Sequence, residues 1–162
     1  MLVRRKHHLR KHHLRASLGA MLFIALPLLA ACGPERLEKT EADLKSAVAD
    51  AVARGDTATL RLFIEVPFAF DRVYIAGPYT PEATIAAAMG GDWQPEFSRG
   101  IESADHFNLL VFEVRGQLYP ATLLRSVAEI APELTGRMYG PDSAVFRVSR
   151  VAGSAVPSLL PR

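Results

Sequence analysis

The chain has 162 residues, and its charge is unevenly spread: six of its 19 basic residues, and four of its five histidines, precede Ala16, where no acid occurs. Removal of that leader before Cys32 leaves 131 residues with 13 basic and 17 acidic side chains, a net charge of −4, which excludes a generally basic nucleic-acid binder. Such a length suits one domain with a modest core, and a lone cysteine excludes a disulfide framework, a thiolate zinc site and a redox pair.

Residues 16–31 form a short apolar run interrupted by Pro27 and ending in small residues. A bilayer-spanning helix needs roughly 20 apolar residues, so residues 1–31 read as a cleaved export signal. The stretch Leu29-Ala30-Ala31-Cys32 resembles the lipobox of bacterial lipoproteins. That resemblance implies lipidation of Cys32 and cleavage before it, with attachment to a membrane through acyl chains rather than a protein span. Gly33 follows the cysteine, which by the same resemblance implies the periplasmic face of the outer membrane in a two-membrane cell, and otherwise the outer face of the plasma membrane. The repeat Arg5-Lys6-His7-His8-Leu9 and Arg10-Lys11-His12-His13-Leu14 offers paired imidazoles, but it precedes the cut and is absent from the mature protein.

Residues 35–54 predict a helix with Leu37, Leu44, Val48, Ala51 and Val52 on one face, closed by Gly55. Residues 58–66 alternate, which predicts a half-buried strand. Residues 71–76 predict a second strand, followed by the turn Gly77–Thr80. There Gly77 permits a positive φ, and Thr80 is expected as the cap of a helix over 81–89. Phe107–Val114 is apolar on both faces and predicts a central strand. Arg115-Gly116 predicts a two-residue hairpin turn, and Pro120 places the returning strand 117–122 at an edge. Residues 144–151 alternate again with Phe146 and Val148 inward, and residues 153–162 predict a flexible tail. The expected fold is α+β, a small antiparallel sheet of about five strands with helices on one face. It forms a single domain over residues 32–152.

Two family resemblances gather at residues 70–81. Val73–Thr80 is similar to the first strand and turn of nucleoside 2-deoxyribosyltransferases, which often read Tyr-Ile-Ala-Gly-Pro. That implies a turn beneath a nucleoside and a downstream glutamate nucleophile. The chain departs from that pattern, since no glycine-flanked glutamate segment of the family's type follows. The sequence over 68–114 resembles a group of small bacterial envelope lipoproteins with no assigned activity. They share Asp71, the strand Val73-Tyr74-Ile75, the turn Gly77-Pro78-Tyr79-Thr80, Ile85, Trp93 and the apolar strand Leu109–Val114. Ala76 replaces the larger aromatic usual before their turn.

Tyr74, Tyr79 and Trp93 are the candidate partner or ligand surface, because such rings combine apolar area with a polar handle. Asp105-His106 is the mature chain's acid–imidazole pair, yet neighbours on an extended chain point apart. Asp71 and Glu113 are the other acids available to it. Ser98, Ser103 and Ser126 lack a nucleophile-elbow context, and Glu96, Glu102 and Asp105 lack a calcium-loop spacing. The expected function is a non-enzymatic, lipid-anchored envelope module with an envelope protein as partner, and no cofactor, metal or nucleic acid. The alternative is a small extracytoplasmic enzyme with its pocket at Gly77–Thr80.

Overall fold

The computed structural model describes residues 34–55, 58–90, 93–150 and 154–162; Cys32 and the leader lie outside them. Phe107–Val114 is apolar on both faces because both of its faces are covered. It is one of the two inner strands of a sheet with order β4-β3-β2-β6, where β2 is Arg72–Ala76, β3 Phe107–Val114, β4 Gln117–Leu124 and β6 Arg137–Tyr139. All neighbours in it are antiparallel. The β3–β4 turn places Arg115 and Gly116 at φ +52° and +77°. This pair of left-handed residues matches the natural twist of a two-residue hairpin. Pro120, opposite Val111, lies in the edge strand β4 as its missing N–H requires.

A second sheet has the order β1-β7-β8-β5, from Thr59–Arg61, Val145–Ser149, Ser158–Pro161 and Glu129–Ile130. Only β5 and β8 run parallel in it. The α+β class therefore holds, but with two four-stranded sheets instead of one of about five. Alternation in residues 144–151 correctly marks Phe146 and Val148 as inward. It carries no information about which sheet receives them.

The two sheets and α1 (Pro34–Ala53) share one core. Leu44, Val48 and Ala51 of α1 are fully buried against Leu110, Phe112 and Leu123 of the first sheet and Leu60 and Phe146 of the second. The opposite face of the first sheet carries Tyr74, Ala76, Leu109 and Val111, covered by Ile85 and Met89 of α3 (Glu82–Met89) and by Ile101. The two longer helices thus lie on opposite faces of this sheet, not on one face as expected. Glu41 of α1 also serves its edge, accepting the backbone N–H of Thr122 at 3.3 Å while pairing with Lys45 at 2.8 Å. Gly55, at φ +98°, follows the helix as expected.

Two further sequence expectations need correction. Residues 58–66 do not form one strand: β1 stops at Arg61 and a single helical turn, α2, occupies Leu62–Glu65. Leu62 and Val66 stand four apart and remain buried on a helical turn, while Ile64 between them is 68% exposed. Helix and strand periods agree for Leu62 and Val66 and part only at Ile64. Nor are residues 158–161 a tail. They form β8 between β7 and β5, with Leu159 buried in the common core.

Candidate functional site

The turn after β2 is built on close approach. Gly77 is buried, and a Cβ there would stand 3.2 to 3.3 Å from three side-chain atoms of Thr135. Its φ is not positive, although glycine would permit it. The left-handed residue is Tyr79, at φ +62°, whose N–H donates to the Ile101 carbonyl at 3.0 Å. Thr80 donates to the Gly77 carbonyl through both its N–H (3.3 Å) and its Oγ1 (2.7 Å). It therefore closes the turn and does not cap α3.

The start of α3 is served differently. Pro81 holds the N-cap position, its carbonyl accepting from Thr84 at 2.9 Å. The Glu102 carboxylate accepts the Glu82 N–H at 3.3 Å. This places negative charge where the helix dipole favours it. Nothing local in the sequence signals the contact, because Glu102 lies 20 residues downstream. Glu82 in turn accepts Trp93 Nε1 at 3.4 Å, and the Trp93 ring meets Phe97 edge-on at 5.8 Å between centroids.

The three aromatics of the expected surface occupy different environments. Tyr79 is 61% exposed, Trp93 is half-buried, and Tyr74 is only 3% exposed, so Tyr74 belongs to the core beneath α3 and not to a surface. Alternation along β2 does put Tyr74 opposite Val73 and Ile75, but that side of the sheet is covered too. Burial pushes its hydroxyl pKa up.

The expected chemical groups do not converge. His106 Nδ1 and Asp105 Oδ1 stand 3.8 Å apart with both side chains open to solvent, beyond hydrogen-bond reach. Asp71 is bound to the Arg115 N–H at 2.6 Å, Glu113 to the Arg72 guanidinium, and Ser98 Oγ to the Gly100 N–H. Each is engaged in holding a turn or a strand end. Among the described residues, no group of three His, Cys, Asp or Glu side chains is placed to hold a metal ion, and no helix is long and apolar enough to cross a membrane.

The chain matches no family model, no curated protein and no solved structure. Its chemistry has to be read from its own residues. A void of about 10 Å³ between α1 and the two sheets is lined by apolar side chains including Leu44, Ile75, Leu110 and Phe146. It has room for about one water but none of the polar partners a water needs. It is a packing gap, far below the roughly 300 Å³ of a small-molecule pocket. At the turn itself, Thr135 closes one side of Gly77 and leaves the Tyr79 ring as its projecting feature.

Proposed function

We propose that this protein is an extracytoplasmic lipoprotein, held to a membrane through acyl chains on Cys32, whose domain acts as a binding or structural module of the cell envelope and not as an enzyme. The observation that carries the reading is the chain's single cysteine, placed after Leu29-Ala30-Ala31 at the end of a basic-then-apolar leader. Two or more acyl chains, at about 0.8 kcal/mol per buried methylene, anchor such a domain stably.

The engagement of Asp71, Glu113 and Ser98 in structural hydrogen bonds supports a non-enzymatic role. In a two-membrane cell, Gly33 after the cysteine favours the periplasmic face of the outer membrane. The test is fractionation with intact-mass analysis of wild type and Cys32→Ser. Wild type should lack residues 1–31, carry acyl mass and sediment with membranes, while the variant becomes soluble or accumulates uncut. Identical processing and fractionation of the two would overturn the reading.

A further inference from the structure

We infer that the outer face of the second sheet is a docking surface for an acidic protein segment. Leu60, Phe146, Val148 and Leu159 of β1, β7 and β8 point into the core. By alternation Thr59, Arg61, Val145 and Arg147 occupy the other face, while Leu160, opposite Arg147, also packs against the core.

The register assembles it. Arg147 stands between Thr59 of β1 and Leu160 of β8, and Arg61 lies opposite Val145. The two arginines are therefore diagonal neighbours on adjacent strands, at a separation of roughly 7–8 Å between backbones. Both are exposed. Arg54, Arg72, Arg99 and Arg125 each have a carboxylate within ion-pair distance, whereas the side chains of Arg61 and Arg147, like those of Arg115 and Arg137, have none among the described residues; Glu65, paired with Arg54, accepts the Arg61 backbone N–H at 3.1 Å.

Charge complementarity selects the occupant. The chain without its leader is net −4, so these two arginines form a locally basic spot on a net-acidic chain. Two guanidinium forks suit carboxylates, which they bind in bidentate fashion. Half-buried Val145 in the same rows adds apolar contact, which a protein segment can use and a layer of phosphate headgroups cannot. The face also lies toward the end of α1 remote from Pro34, where Arg54 donates to the Thr59 carbonyl at 3.2 Å. Insofar as this choice of a partner in the aqueous space over the anchoring bilayer uses the position of Cys32, it rests on the function proposed above.

The test titrates the full-length protein, in a non-ionic detergent at low salt, with fluorescent poly-L-glutamate. Binding should saturate, weaken with added salt, and fall at least about tenfold in Arg61→Gln/Arg147→Gln. The control Arg115→Gln/Arg137→Gln, which removes exposed arginines elsewhere, should bind as wild type does, with all three proteins melting alike. No difference between wild type and the first variant, or an equal loss in the control, would overturn the proposal. Vesicles of phosphatidylglycerol bound in preference to poly-L-glutamate would overturn it in favour of a lipid surface. Intact mass reports separately whether residues 1–31 are gone, so failure of the anchor reading is visible on its own. The wild-type-to-variant difference does not depend on leader charge.

Discussion

The carboxylate of Asp71 accepts the backbone N–H of Arg115 at 2.6 Å, joining the entry of β2 to the tip of the β3–β4 hairpin across 44 residues. The Asp71 N–H donates to the Glu113 carbonyl at 2.7 Å, and Arg72 pairs with the Glu113 side chain. An acid that the sequence offers as a possible partner for His106 is instead a clasp between two strands. It fixes the register in which Tyr74 meets Val111 and Ile75 meets Leu110.

Asp71→Ala should therefore destabilise the domain by about 1.5 kcal/mol, the lower end of the range for hydrogen bonds to charged groups, because the contact is exposed. Asp71→Asn keeps an acceptor oxygen and should lose less. Urea unfolding of the three proteins checks the order. An unchanged midpoint in Asp71→Ala would mean that the clasp contributes nothing.

Gly77 is required by space and not by φ, so the cost of filling it should scale with side-chain size. Gly77→Ala must displace Thr135, and Gly77→Val must displace it further, at about 1–3 kcal/mol for overpacking. Thr135→Ala removes two of the three atoms in the way and should recover part of the Gly77→Ala loss. A double-mutant cycle that shows strict additivity would place the strain elsewhere. Thr80→Ala should cost about 0.5–1.5 kcal/mol through loss of its bond to the Gly77 carbonyl.

Much of the first sheet was legible in the sequence because its signals are local. The two-sided apolar run of β3, the Arg115-Gly116 turn and the edge position of Pro120 each follow from neighbouring residues. The division into two sheets was not legible, because Phe146 and Val148 alternate identically whichever sheet receives them. The partner of β8 lies in β5, almost 30 residues earlier, and Pro157 and Pro161 gave that segment the composition of a tail. At the turn, the sequence singled out the right residues and misread their roles. Positive φ passed from Gly77 to Tyr79, and the capping carboxylate came from Glu102, since both depend on contacts with distant segments.

The central strand gives a direct check on the core. Leu110 is 2% exposed, faces Leu44 and Phe146 across the shared cluster, and already borders the small void. Leu110→Ala enlarges that void and should cost about 2–5 kcal/mol. A thermal melt within a degree or two of wild type would contradict the placement of β3 between two covered faces.

Leu159 carries the corresponding argument for the second sheet. Residues 158–161 complete the ladder between β7 and β5, with Leu159 opposite Val148 and Ile130. Leu159→Ala should cost about 2–5 kcal/mol. The amides of Leu159 and Leu160 should exchange as slowly as those of β7. Fast exchange there, with a variant as stable as wild type, would restore the reading of this segment as a tail.

The pH dependence of stability should carry the mark of Glu41. Burial alone would raise its pKa, but hydrogen bonds from Lys45 and Thr122, with the Lys45 charge, outweigh burial and hold it below its ordinary value of 4.5. A carboxylate depressed in the folded state binds a proton more readily when unfolded. Its contribution is therefore full above the ordinary value and is lost as pH falls through the folded one. Glu41→Gln removes that contribution while leaving an oxygen that can still accept from Thr122. The variant should be less stable than wild type at neutral pH, and the gap should close as pH falls from about 6 toward 3. Denaturant midpoints across that range measure the gap. A difference that stays constant with pH would show that Glu41 acts through packing or neutral hydrogen bonding, and that its charge does not help hold α1 against the edge of β4.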